Sequence, residues 1–292
     1  MYFLYPWLGW TLNFEDYQND WTVITGGTEG MGKAVTEELA VKGLKKFVLI
    51  SRTKEKLEQF SEYLVEKYNA EVKIFPFDFE TYDHGHLLQW LDSLDNIGIL
   101  INNAGTAPCE LVPYLEHQKG EGERVFKVNT LSTLKVTQAV LPKMIKQDKG
   151  VIVNISSATA WRPYPMTSSY AATKAYISFL TQSLANEYKK YSNVLFRCYM
   201  PLTVATRLTY SCQADGFFCI TAEDFARQAV NILGSPDCLS MGSVQHELQG
   251  AATVLLPPWM IRHLVAVINN HQENKVLQFR KLHGQERKMN SH

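Results

Sequence analysis

Short apolar runs and longer amphipathic stretches alternate along the middle of the chain. Trp21–Thr25 is an apolar run that stops at Gly26-Gly27, which predicts a strand followed by a turn. Residues 34–42 predict a helix, ended by Gly43. The run KFVLI at 46–50 predicts a second, buried strand. Over Lys54–Tyr68, the residues Leu57, Phe60, Leu64 and Tyr68 recur at helical spacing. Strands are predicted at 71–77, 97–101, 151–156 and Val194–Tyr199. Helices are predicted at 87–94, 124–146 (with Pro142 near its end) and 169–190. Strands and helices that alternate through short links predict a single α/β domain. Its core would be a doubly wound parallel sheet of Rossmann type, covered on both faces.

The ends of the chain depart from this rhythm. Residues 1–19 form an aromatic N-terminal segment, with Tyr2, Phe3, Tyr5, Trp7, Trp10 and Phe14 in the first fourteen positions and no basic residue among them. It lacks the positive start of a signal peptide and the length of a spanning helix. It suits either a membrane interface or a strap over the domain's own surface. The main domain is expected over 20–250. Within it, 203–220 is a polar and aromatic insertion placed like a substrate lid, before a helix at 222–233. Residues 251–292 form a C-terminal extension. Its apolar stretch 254–268 is broken by Pro257, Pro258, Arg262 and His263, and reads as an interfacial or a packed helix.

Composition changes this picture little. Of 292 residues 46% are hydrophobic and 20% charged, and the 29 Lys plus Arg equal the 29 Asp plus Glu. No net basic charge points to nucleic acid. The five cysteines are scattered without metal-ligand spacing, so no metal site is expected and reduced thiols are.

The segment Thr25-Gly26-Gly27-Thr28-Glu29-Gly30-Met31-Gly32 lies between the first strand and helix. Gly26 would permit a tight turn, Gly30 the approach of a pyrophosphate, and Gly32 close packing of helix on strand. The helix N-terminus would offer N–H groups to the phosphates. After the second strand stands Ser51-Arg52, where an acidic residue would hold the ribose of NAD. A guanidinium matches a 2′-phosphate, so NADP(H) is expected, with Glu29 as a competing charge nearby.

Tyr170 and Lys174 stand at i and i+4, on one helix face. An ammonium there would lower the pKa of the phenol and suit it to exchange a proton with a carbonyl oxygen. Ser156-Ser157 ends the fifth strand and Asn102-Asn103-Ala104-Gly105 the fourth, both where ligands bind in open parallel sheets. Ser157 could donate to the substrate oxygen. Asn129, on the long helix, would hold a water in a proton relay to Lys174. Trp161 and residues 210–220 are candidate walls of an apolar pocket. Asn154-Ile155-Ser156 matches a glycosylation sequon but falls in a predicted strand.

These residues together resemble the short-chain dehydrogenase/reductase family over about residues 20–235. The resemblance implies a catalytic tetrad of Asn129, Ser157, Tyr170 and Lys174, with Lys174 also on the nicotinamide ribose. It implies cofactor contacts from Gly26, Thr28, Gly30, Met31, Gly32, Ser51, Arg52, Asp78, Asn103, Ala104, Gly105, Pro201, Val204 and Thr206. Pro201-Leu202 departs from the family's usual Pro-Gly. VLISRTKEKL at 48–57, NISSATAWRPYPMTSSYAATKA at 154–175 and VATRL at 204–208 are similar to the 17-beta-hydroxysteroid dehydrogenase and very-long-chain 3-oxoacyl-CoA reductase subgroup. That implies a lipid-like ketone or secondary alcohol as substrate. It also implies a homodimer through the long helices and a place at the cytosolic face of the endoplasmic reticulum membrane, with the cytoplasm as the alternative. The rival expectation is an NADP-binding scaffold without turnover.

Overall fold

The structure is a computed structural model and describes residues 11–109, 112–162, 165–209, 213–255 and 260. The aromatic residues 1–10, Tyr210 and most of the stretch 254–268 lie outside the described residues. Strands and helices alternate in order: β1 (Trp21–Thr25), α1 (Gly30–Val41), β2 (Lys46–Ser51), α2 (Lys54–Tyr68), β3 (Glu71–Pro76) and α3 (Gly85–Asp92) come first. β4 (Ile97–Asn102), α4 (Glu121–Phe126), α5 (Ser132–Gln147), β5 (Gly150–Ile155), α6 (Ser168–Glu187) and β6 (Val194–Tyr199) follow. A short parallel pair, β7 (Thr203–Ala205) with β8 (Cys219–Thr221), precedes α7 (Ala222–Asn231), β9 (Leu239–Ser240) and α8 (Val244–Leu255).

The sheet has seven strands in the order β3-β2-β1-β4-β5-β6-β9, all parallel. β1, β4 and β5 are buried along their whole length, as strands covered on both faces must be. One apolar layer joins α1, α2 and α7 to the sheet through residues such as Leu39, Leu57 and Phe225. The other joins α3 and α5 through Leu87, Leu91, Val136 and Met144. The strand order reverses between β1 and β4, and the crevice above that switch point is where such sheets take ligands.

The predicted strands and central helices all form, with ends moved by up to four residues. The expected helix 124–146 is interrupted. Between α4 and α5 the backbone makes a π turn, Lys127–Leu131, which absorbs one extra residue per turn and carries Asn129. The seventh strand β9 and helix α8 were not foreseen. β9 is two residues long and offers no periodicity to read. Near the start, Phe14–Tyr17 is a 3-10 turn; Tyr17 is buried and Leu12 and Phe14 pack on the core, so this part of the segment is a strap. Among the described residues, no helix is long and apolar enough to cross a membrane. Asn154 is fully buried, donating to Thr181 Oγ1 (2.8 Å), which suits a strand residue and not a glycan acceptor.

Candidate active site

The turn after β1 has the backbone its glycines were expected to allow. Gly26 and Gly30 take φ of +65° and +54°, a region L side chains enter only with strain. A Cβ on Gly32 would collide with the Gly26 carbonyl and the Asn103 amide. Glu29, at the N-cap of α1, makes no side-chain bond to the first turn, which leaves the N–H groups of that turn for an anion. Met31 packs its side chain against the core. The residues here therefore fit a dinucleotide pyrophosphate.

Thr25 holds this turn to β4. Its hydroxyl accepts from the N–H groups of Asn103 (3.1 Å) and Ala104 (3.0 Å). The Asn103 amide in turn donates to the carbonyls of Thr25 (3.1 Å) and Gly26 (2.9 Å). Asn103 is thus spent on shaping the turn, and Thr25, the first residue of the glycine-rich segment, ties that turn to the end of β4.

The end of the cleft beside Arg52 is open. Thr28 and Ser51 share a hydrogen bond of 3.1 Å. Arg52 has 69% of its side chain exposed and stands 3.7 Å from Glu80, whose carboxylate is also 3.8 Å from Arg124. Asp78 is exposed and accepts from the Glu80 N–H (3.0 Å). Glu29, expected to compete for charge here, is paired with Lys56.

The other end of the cleft is closed. Asn129 is fully buried; its amide donates to Thr106 O and Thr173 Oγ1, both at 3.0 Å, and its oxygen accepts from Thr106 N at 2.7 Å. Both donors of the side chain are therefore used by protein, and Asn129 braces the loop at Thr106 against α6 at Thr173. Arg124 donates to Thr106 Oγ1 (2.7 Å) and Ala107 O (2.8 Å), and buried Glu121 accepts from Cys109 N (2.5 Å), so α4 grips the same loop from its other side. Lys174 is buried and donates to Ile155 O (2.8 Å). A Cβ on Gly105 would lie 3.5 Å from Lys174 Nζ and 3.6 Å from Asn129 Oδ1, so amine, amide and the bare Gly105 backbone converge.

Ser157 caps a 3-10 turn at Ala158–Ala160, accepting from Thr159 N (3.2 Å), and hydrogen-bonds to Tyr170. Lys174 Nζ lies 5.6 Å from the centre of the Tyr170 ring. The expected lowering of Tyr170 by the ammonium is not what this geometry gives. Burial pushes the phenol up and the Ser157 bond draws it partly back; burial also pulls Lys174 down to about 8. Pro201 accepts from Ala158 N (3.0 Å), and Leu202 takes no positive φ, so the usual Pro-Gly is not needed for this turn. Val204 lies in the core, and Thr206 bonds Thr209. Trp161, Phe217 and Phe218 are exposed rather than buried in a pocket.

Residues 20–215 match the short chain dehydrogenase family. The chain belongs to this family. As a member, it is a nicotinamide-dependent oxidoreductase. This dehydrogenase is 37% identical over 265 residues to very-long-chain 3-oxoacyl-CoA reductase of Mus musculus, covering 90% of this chain and 83% of the relative. It is 36% identical over 242 residues to 17-beta-hydroxysteroid dehydrogenase type 3 of Homo sapiens, covering 82% and 76%. Among solved structures, a 7beta-hydroxysteroid dehydrogenase superposes with a TM-score of 0.72 at 23% identity, covering 82% of this dehydrogenase and 93% of that chain. A short-chain dehydrogenase from Sphingobium yanoikuyae in complex with NADPH gives 0.69 at 24%, covering 81% and 94%.

Proposed function

We propose that this dehydrogenase reduces the ketone of a bulky, lipid-like substrate with NADPH, the substrate being a steroid or a 3-oxoacyl thioester. The convergence of Lys174 and Asn129 over Gly105, beside the Tyr170–Ser157 pair, carries this reading. Bound NADPH supplies the hydride. Ser157 and Tyr170 hold the ketone oxygen, and Tyr170 gives it the proton. A phenol kept protonated by burial is in the right form for that step, and Lys174, near 8, is a matched donor to refill it. Gly26, Thr28, Gly30, Met31 and Gly32 receive the pyrophosphate side of the cofactor. Ser51 and Arg52 take the 2′-phosphate, and Asp78 the adenine. Asn103, Ala104, Gly105, Pro201, Val204 and Thr206 line the nicotinamide half, with Lys174 on its ribose. The names of the relatives support the substrate class, and Arg52 supports NADPH over NADH.

NADPH oxidation with a panel of lipid ketones tests the proposal. Wild type should turn over at least one, and Tyr170→Phe should lose activity by on the order of 10²–10⁴-fold while still binding NADPH. Tight NADPH binding with no turnover in the wild type would favour a scaffold instead.

We further propose a homodimer formed through α5 and α6. An apolar groove of about 500 Å³ between them is lined by Leu134, Leu141, Pro142, Ile145, Leu180 and Leu184, and Phe179 beside it is 71% exposed. Sedimentation equilibrium of Phe179→Glu against wild type decides this; equal masses would sink it. The family likeness also supports a place at the cytosolic face of the endoplasmic reticulum membrane, which fractionation of tagged protein reads directly.

A further inference from the structure

The turn that follows Ser157 holds an arginine the mechanism does not use. The chain from Ser157 to Arg162 is pinned at several points. Ser157 Oγ accepts from Thr159 N, the N–H groups of Trp161 and Arg162 both reach Ala158 O at 3.0 Å, and Ala158 N donates to Pro201 O. The turn therefore stands rigidly at the carboxyl edge of the sheet, between the loop after β6 and the start of α6. Arg162 is five residues from Ser157, on the order of 10 Å along such a turn. Its guanidinium stacks on the exposed Trp161 ring, 5.2 Å from its centre.

No carboxylate and no carbonyl among the described residues is paired with that guanidinium. Its Nε is enclosed by the protein without a hydrogen-bond partner, as is the hydroxyl of Thr159 on the same turn, while the rest of this part-buried side chain reaches solvent. A buried donor left unmade is costly, and one on a cation more so, so native structures seldom keep one without a reason. Among the described residues, the buried cations Arg197 and Lys174 are bonded: Arg197 Nε to Leu233 O, Lys174 Nζ to Ile155 O. The outer nitrogens of that guanidinium, on a turn that begins at Ser157, are left to take an acceptor brought from outside. The planar fork of an arginine matches a carboxylate or a phosphate.

We infer that Arg162 is a specificity-determining residue that receives an anionic group, phosphate or carboxylate, carried by the substrate on one side of its ketone. This rests on the proposed ketone reduction at the same site, and it favours acidic substrates over uncharged ones of equal size.

Three probes sharing one acyl chain separate the sources of the anion: 3-oxododecanoyl-CoA (phosphates), fresh 3-oxododecanoate (carboxylate) and the uncharged N-acetylcysteamine thioester. Wild type should prefer an anionic probe in kcat/KM. Arg162→Met should cut that preference about tenfold or more through KM, and Arg162→Lys should keep most of it. The KM for the anionic probe should rise with salt in the wild type, and this salt dependence should flatten in Arg162→Met. The probe that loses its advantage names the anion. A preference ratio and salt dependence unchanged in Arg162→Met would overturn the inference while leaving ketone reduction intact. Binding of 3-hydroxydodecanoyl-CoA and 3-hydroxydodecanoate to the NADP-loaded protein, read by calorimetry, gives a measure independent of turnover. If the wild type turns over no probe but one of these ligands binds in an Arg162-dependent way, the reaction is wrong and the anion site stands. If neither ligand binds the wild type, the anion site falls.

Discussion

At one end of the cleft Asn129 and Lys174 are buried and bonded to protein; at the other Arg52, Asp78 and Glu80 reach water and pair loosely. The first end is specified by hydrogen bonds that have no substitute partner. The second is specified by charge alone, where a surface ion pair contributes only about 0–1 kcal/mol and salt screens it. The contrast implies that chemistry here is brittle and cofactor choice is adjustable.

Several substitutions would sharpen or break that contrast. The largest effect is expected at Asn129. Asn129→Ala strips partners from Thr106 N–H, Thr106 C=O and Thr173 Oγ1, and each buried group left unpaired costs about 1–3 kcal/mol. Thermal unfolding should show a clear drop in Tm and kcat should fall with it; a variant as stable and active as wild type would mean the brace is idle. Arg52→Asp should invert the NADPH/NADH ratio of kcat/KM by on the order of tenfold or more without moving Tm, since a charge-assisted bond to the phosphate is replaced by repulsion. An unchanged ratio would remove Arg52 from the cofactor assignment.

Ser157→Ala tests the electrostatics of the closed end. Its bond draws the Tyr170 phenol down, so its loss lets burial raise the phenol further. For alcohol oxidation, which needs the phenolate, the rising alkaline limb of kcat should move to higher pH; a shift to lower pH would contradict the assigned cause. Lys174 works in the opposite sense on stability. Its folded pKa, near 8, lies below the ordinary 10.5, so the unfolded state holds more protons between those values and stability contributed at this site rises with pH across that window. The smallest effect is expected from Glu80→Gln, which frees Arg52 from a competing carboxylate: NADPH should bind a few-fold tighter, with NADH little changed. Weaker NADPH binding would show that Glu80 orients Arg52 rather than competing for it.

The sheet and its central helices were legible because β-rich runs and 3.6-residue periodicity report burial, and burial is what the fold imposes. The phosphate turn was legible because positive φ at Gly26 and Gly30 demands glycine. Thr106, Thr173, Glu121 and Arg124 were not, since their roles come from segments distant in sequence that meet only after folding and their residue types are ordinary at any surface. The π turn at Lys127–Leu131 escaped because its amphipathic pattern differs from that of a regular helix by a single residue. The pKa of Tyr170 was misjudged for the same cause: i and i+4 spacing gives proximity along a helix, while the depth of the site decides which proton-bearing form is favoured.

That one-residue surplus sets how the long helix tolerates length change. Each residue of an α-helix turns the following ones by about 100°. Deleting one position between Lys127 and Leu131 would let the turn rewind as ordinary helix with α5 still seated on the sheet through Val136, Val140 and Met144, but Asn129 would swing off Thr106. A deletion that leaves the protein folded and ends its catalysis is thus written into this segment, and a deletion two turns further along, inside α5, would instead disrupt the core.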